Sequence, residues 1–296
     1  MNIFLLIIVQ FLFAANFVVA KLLLQDISVT TLVAIRFFSV AVLLILVFPF
    51  FWNKRPPLSV KFIGSAGILA ALGYYLAQFL MLKGLEYSNP SNVALIMSFV
   101  PIMTLLIVVL KKETPLTMNK ILGFTISFVA ILSMLDLSKM DFAADSLRGD
   151  LLAFGAATCL ALFFTFSKNY LKSSHPIWTN GYLFIFAAVF SFPLFFVGED
   201  LNTINFTSEL VAGLLYIILG ATALAYILTT YLLKRLKPEL VSIYAYLQPI
   251  LASLLASIFL DVELNPNVFL ATLFLFIGFV LANRDAKSID DSGGDV

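Results

Sequence analysis

The chain is poor in what a soluble protein carries on its surface. Charged residues fill only 12% of its 296 positions, about half the share usual in a soluble domain. It has one histidine, His175, and one cysteine, Cys159. A lone cysteine in an apolar run excludes an internal disulfide and a thiolate metal site, and no metal ion or cofactor is expected. Formal net charge is +1, which leaves no basic field for nucleic acid and no acidic tail for a basic partner. No Gly-rich phosphate loop occurs, so ATP is not expected to drive anything here directly. Carboxylates are missing from the middle of every apolar run: Glu86, Glu113, Asp136, Asp150, Asp261 and Glu263 all stand near run ends.

What is abundant is apolar. Hydrophobic residues make up 61% of the chain, with 31 Phe among them, and mean hydropathy is +1.04. A water-soluble core of this size cannot hide that much, so the sequence reads as an all-α integral membrane protein in contact with the lipid bilayer. A helix needs about 20 residues to cross a hydrocarbon core of about 30 Å. Ten candidate spans follow from charge cluster to charge cluster: about 3–24, 29–51, 60–82, 90–110, 116–135, 149–170, 177–197, 209–233, 239–260 and 267–283. The first carries no Lys or Arg ahead of it and is too long for a signal peptide, so it reads as a retained helix. Loops are short, and the tail 287–296 is polar and reads as a disordered cytoplasmic segment.

Basic residues collect after even-numbered spans: Lys54, Arg55, Lys61, Lys111, Lys112, Lys120, Lys168, Lys172, Lys234, Arg235, Lys237, Arg284 and Lys287, thirteen of eighteen. That bias predicts both termini on the cytoplasmic side of the membrane. Trp52, Trp178 and Tyr170 fall at span ends, where an interfacial aromatic belt is expected.

Comparison of the chain with itself at an offset of 148 aligns Pro90 with Pro238, Pro101 with Pro249 and Asn119 with Asn267 without a gap. Two five-helix repeats follow, 1–138 and 139–286. Five is odd, so the second repeat enters the membrane inverted relative to the first. Inverted repeats give many secondary transporters two related states, one open to each side.

Polar groups inside the bilayer are the default functional candidates, because hydrocarbon offers them no partner. Arg36 stands about 10 Å inside the second span. It reads either as a fixed cation for a substrate carboxylate or, more plainly, as an arginine snorkelling to the interface or bonding nearby carbonyls. Tyr74, Tyr75 and Gln78 share a helix face by the i, i+3, i+4 rule. Thr222 and Tyr226, with Thr229 and Thr230, form the matching stripe in the other repeat, since 74 and 222 differ by the offset. Tyr244 and Gln248 share a face in the ninth span, and Asn16 and Gln10 stand in the first. These groups are expected to line a cavity between the halves. Pro101 and Pro249 should kink their helices, free the carbonyls of Met97 and Ala245, and supply hinges. His175, in a loop, is expected to be solvated.

The runs NFVVAK at Asn16–Lys21 and Arg36-Phe37 resemble the first spans of EamA-type permeases of the drug/metabolite transporter superfamily. GLEYSNPSN at Gly84–Asn92, Val100-Pro101 and Glu113 are similar to the end of that family's repeat. YLLKRL at Tyr231–Leu236 with Gln248-Pro249 resembles the second copy. The likeness covers the whole chain. Two departures stand out: Phe13-Ala14-Ala15 precedes Asn16 where many relatives carry Trp-Gly, and Gln248 replaces an acidic residue common there. The resemblance implies a carrier of the bacterial inner membrane exporting amino acids or related zwitterionic or aromatic metabolites. A multidrug or nucleotide-precursor carrier is the alternative on the same fold; an intramembrane lipid-modifying enzyme is remote, because converging acid/base groups are missing. A homodimer is compatible with the sequence.

Overall fold

The structure, a computed structural model, describes residues 2–56, 58–132, 145–197, 204–235 and 244–282. Among these, all regular structure is helical. α1 (Asn2–Leu23) and α2 (Val29–Val47) are followed by a 3-10 segment, Phe48–Lys54. α3 (Val60–Leu69) and α4 (Ala77–Tyr87) flank a π-helical stretch, Ala70–Leu76. α5 (Pro90–Met97) and α6 (Val100–Leu110) are separated by a two-residue break, and α7 (Met118–Leu132) follows. Then come α8 (Asp145–Lys172), α9 (Pro176–Ser191) and α10 (Leu194–Val197). α11 (Ser208–Leu215) and α12 (Ala225–Leu233) flank a second π stretch, Tyr216–Leu224. α13 (Leu247–Phe259) and α14 (Pro266–Ala282) complete the chain.

Seven of the expected spans are matched by continuous apolar segments of sufficient length: Asn2–Leu23, Val29–Lys54, Val60–Tyr87, Pro90–Leu110, Asp145–Lys172, Pro176–Val197 and Ser208–Leu232. The other three correspond to shorter apolar helices, Met118–Ala130, Leu247–Phe259 and Pro266–Ala282. Residues 133–135, 239–243 and 283 of the expected spans, the 138/139 repeat boundary, Asp136 and the 287–296 tail lie outside the described residues. Local chemistry sets the helix starts. Ser28, Ser59, Asn89 and Thr207 each accept a hydrogen bond from the backbone N–H three residues on, at 3.3, 3.1, 2.8 and 3.2 Å, satisfying one of the first-turn donors that have no partner inside a helix.

Small residues bring helices together where side chains would hold them apart. At the α4–α8 crossing, a Cβ on Gly84 would meet the Gly149 carbonyl at 2.9 Å. At the α7–α14 crossing, a Cβ on Gly278 would sit 2.2 Å from Ser127 Oγ and one on Gly123 2.4 Å from the Gly278 carbonyl. Backbones this close are the usual device where lipid removes the hydrophobic drive for helix pairing.

The segments meet in two separate groups at opposite ends of the bundle. At one, Lys21 Nζ donates to the backbone carbonyls of Leu85, Glu86 and Ser88, and Ser88 Oγ donates to Asp150 at 2.6 Å. At the other, the 3-10 segment lies against the start of α9: Phe48 stacks on Trp178 at 4.1 Å, and Trp178 Nε1 donates to the Phe51 carbonyl at 2.8 Å. Trp178 is 3% exposed and Tyr170 is buried, its hydroxyl donating to the Thr179 carbonyl at 3.2 Å. The aromatic belt expected at these two positions is therefore corrected. Each ring has a hydrogen-bond acceptor and a stacking partner inside the protein, which a lipid interface would not improve. Trp52 alone of the three is exposed.

Candidate functional site

A buried polar layer lies inside the bundle, built from side chains on α1, α2, α4, α9, α12 and both π stretches. Arg36 on α2 is 1% exposed and its Nε donates to Thr222 Oγ1 at 2.6 Å, while Nη1 has no partner. The snorkelling reading of Arg36 is thus corrected: its head is buried inside the protein, with Nε on a hydroxyl there. Gln78 Nε2 donates to the Tyr226 hydroxyl at 2.8 Å, and Gln78 Oε1 is buried without a partner. Tyr74 donates to Asn180 Oδ1 at 2.7 Å, and Asn180 Nδ2 donates to Thr230 Oγ1 at 2.9 Å. Phe13, Tyr74 and Phe184 surround the Tyr226 ring at centroid distances of 5.6, 4.9 and 5.5 Å. Asn16, one turn from Phe13 on α1, is buried, and its Oδ1 has no partner.

The pairs obey the repeat offset. Gln78 and Tyr226 stand 148 residues apart, so equivalent positions of the two halves bond to each other. Adding 148 to the Arg36–Thr222 pair gives Phe184 and, in reverse, Tyr74; those rings meet at 4.7 Å. Of these two equivalent contacts between the halves, one is polar and the other aromatic. The π stretches also correspond: Ala77 N–H reaches back five residues to the Leu72 carbonyl, and Ala225 N–H to that of Gly220. Single π turns inside α-helices occur frequently at functional sites.

Of the expected site residues, Asn16, Tyr74, Gln78, Thr222, Tyr226 and Arg36 are brought together. Tyr75 is not, and that expectation is corrected: its ring packs on Phe79 and Phe190, each at 6.2 Å. The π stretch at 70–76 departs from 3.6 residues per turn, so the i, i+3 spacing loses its meaning there. Gln248 stands in a second pair, donating to Gln10 Oε1 at 2.6 Å, and Tyr244 packs against Leu6, Val9 and Leu232 beside it. Pro101 and Pro249 each follow a break, at 98–99 and 245–246. The Ala245 carbonyl, expected to be free, accepts from Gln248 N–H at 3.0 Å, because the chain tightens into a turn before the proline.

Two functional candidates escaped the sequence reading. Asn180 lies in the first turns of α9 and its repeat equivalent is Leu32, so comparing the halves hides it. Asp150, read as a span-end group, is buried one turn inside α8. An apolar groove of about 500 Å³ beside α2, lined by Ile35, Phe38, Val42, Leu46, Phe195 and Leu219 among others, holds none of the polar pairs. Among the described residues no cluster of three His, Cys, Asp or Glu could hold a metal ion.

Apolar helices long enough to cross a membrane, enclosing a buried polar layer, describe a multi-pass membrane protein. The family model of the EamA-like transporter family, within the drug/metabolite transporter superfamily, matches residues 1–135 and again 147–284, and the chain belongs to that family. It is 24% identical over 271 residues to an uncharacterized transporter of Archaeoglobus fulgidus, covering 90% of this chain and 91% of that one. It is 21% identical to the uncharacterized transporter YyaM of Bacillus subtilis, over 82% and 80% of the two chains. A solved crystal structure superposes with a TM-score of 0.68 at 14% identity, covering 96% of this chain and 97% of the other.

Proposed function

We propose that the protein is a secondary carrier exporting small zwitterionic metabolites, amino acids foremost, by alternating access between two inverted five-helix repeats. In this reading ten helices cross a bacterial inner membrane and both termini are cytoplasmic. The observation that carries the substrate class is the set of buried groups left without partners: Arg36 Nη1, a cationic donor, and Asn16 Oδ1 and Gln78 Oε1, two amide acceptors. A substrate carboxylate suits the first and an ammonium the other two. Each hydrogen bond to a charged group contributes about 1.5–3 kcal/mol. The rings of Phe13, Tyr74 and Tyr226 beside them favour an apolar or aromatic side chain on the substrate. A phosphorylated sugar would require several Lys or Arg, and the layer has one cation.

Repetition supports the mechanism. The family match occurs twice, the π stretches correspond, and Gln78 and Tyr226 join equivalent positions. No carboxylate lies in the polar layer among the described residues, which favours facilitated diffusion or exchange over proton-driven transport.

The test is uptake into liposomes of a labelled aromatic amino acid, its carboxamide and its N-acetyl derivative, with and without a pH gradient. The free amino acid should enter and stop at equal concentrations under both conditions. The carboxamide and the Arg36→Gln variant should each lose about tenfold or more, the loss of one charge-assisted bond. Equal uptake of all three compounds would overturn the zwitterion reading. Accumulation that requires the gradient would overturn the facilitator.

A further inference from the structure

We propose that His175 is a proton-sensitive latch at the basic end of the bundle, holding that end shut while neutral and releasing it when protonated. His175 is the N-cap of α9, and its Nδ1 accepts from the Ile177 backbone N–H at 3.4 Å. Its ring stacks on Phe51 of the 3-10 segment at 4.9 Å, beside the stacked Phe48–Trp178 pair. The neighbouring Ser174 joins the same three segments: its Oγ donates to the Lys54 carbonyl at 3.2 Å, and its own carbonyl accepts from Lys234 Nζ. The 3-10 segment after α2, the start of α9 and Lys234 just past α12 thus meet on residues 174–178.

Protonation strikes each of these contacts. An imidazolium carries a hydrogen on both ring nitrogens, so Nδ1 can no longer accept from Ile177 N–H. The new charge also sits at a helix N-terminus, where the macrodipole opposes cations. The charged groups facing His175 are Lys54 from the 3-10 segment and Lys234 from the end of α12; no carboxylate among the described residues offsets them. Burial, then these two lysines, hold the His175 pKa below its ordinary value of 6.5. A depressed pKa means that the neutral form favours the latched state. The latch is at full strength above pH 6.5 and weakens as pH falls below it.

The latch connects to the polar layer through one helix turn. Asn180 Nδ2 donates to the Pro176 carbonyl at 2.8 Å, while Asn180 Oδ1 accepts from Tyr74. Displacement of the first turn of α9 therefore reaches Tyr74 directly. Opening this end toward the polar layer rests on the carrier reading; the latch itself does not.

Both tryptophans of the chain, Trp52 and Trp178, belong to this cluster, so intrinsic tryptophan emission reports on it alone. The full-length protein in nanodiscs is titrated from pH 8 to pH 5. Emission should move to longer wavelength with a single midpoint below 6.5 as Trp178 leaves its buried site. His175→Asn keeps an N-cap acceptor without a titratable charge, and should match wild type at pH 8 and stay flat. Lys54→Gln with Lys234→Gln should raise the midpoint towards 6.5, a readout that does not depend on the histidine variant folding. A wild-type titration without a transition, a midpoint unmoved by the lysine changes, or an unaltered transition in His175→Asn would each overturn the latch, whatever the protein transports.

Discussion

At the scale of single residues, the buried layer is held by donor–acceptor pairs in which each partner leaves the other stranded if removed. Tyr226→Phe orphans Gln78 Nε2, and Gln78→Leu strips the Tyr226 hydroxyl of its donor. An unsatisfied buried polar group costs about 1–3 kcal/mol. Each single substitution should lower unfolding stability in mixed micelles by that order, and the double variant should lose less than the two losses together. Strict additivity in this cycle would show that the hydrogen bond contributes nothing. Both single variants should also reduce transport while leaving membrane insertion intact. The residue types in this layer were legible because a Gln, Arg or Tyr in an apolar run needs a partner. Their pairing was not: nothing in the spacing of Arg36 and Thr222, or of Tyr74 and Asn180, says that they meet across the fold. Asp150 shows the reverse error, since position near a charge cluster does not reveal that α4 and Ser88 cover it.

At the scale of the element, the helix positions follow from apolar runs and polar caps, and the sequence locates all but their ends. The π stretches were invisible, because no residue type demands a five-residue reach; packing of Gly73 beneath the Phe163 ring accompanies one of them. The prolines signalled breaks correctly, but the compensating turn at Ala245–Gln248 depends on backbone geometry that spacing does not carry. Both helices that start at these breaks end alike, on non-glycine residues with positive φ: Lys112 at 59° after α6 and Asp261 at 51° after α13. A side chain in this region costs about 1–2 kcal/mol, of which glycine's extra unfolded-state freedom returns about 0.4–1 kcal/mol. Lys112→Gly and Asp261→Gly should each stabilise the protein by about 0.5–1 kcal/mol, seen as a higher midpoint in thermal unfolding. A lower midpoint in both would mean that these side chains make contacts outweighing the strain.

For the whole molecule, the two end clusters distinguish its two ends, and the proposed orientation puts the one holding His175 in the cytoplasm. Residues 48–55, 172–178 and 234 gather at one end, and 21, 85–88 and 148–150 at the other, as alternate crossings require. Ser173→Cys should react with a membrane-impermeant thiol reagent only from the cytoplasmic side, and Gln25→Cys only from outside, in a background lacking the single Cys159. Labelling of both from one side would overturn the orientation. Perfectly matched inverted halves would carry a further constraint: exchanging their roles turns the state open to one side into the state open to the other, so the two would be degenerate and equally populated. In this chain the match is broken where the halves meet: Arg36 of the first repeat bonds Thr222 of the second, while the equivalent positions, Phe184 and Tyr74, make a contact between rings. Under the alternating access proposed above, these four side chains would bias the carrier towards one state, and a substitution that makes the two contacts alike should pull the populations of its two states together.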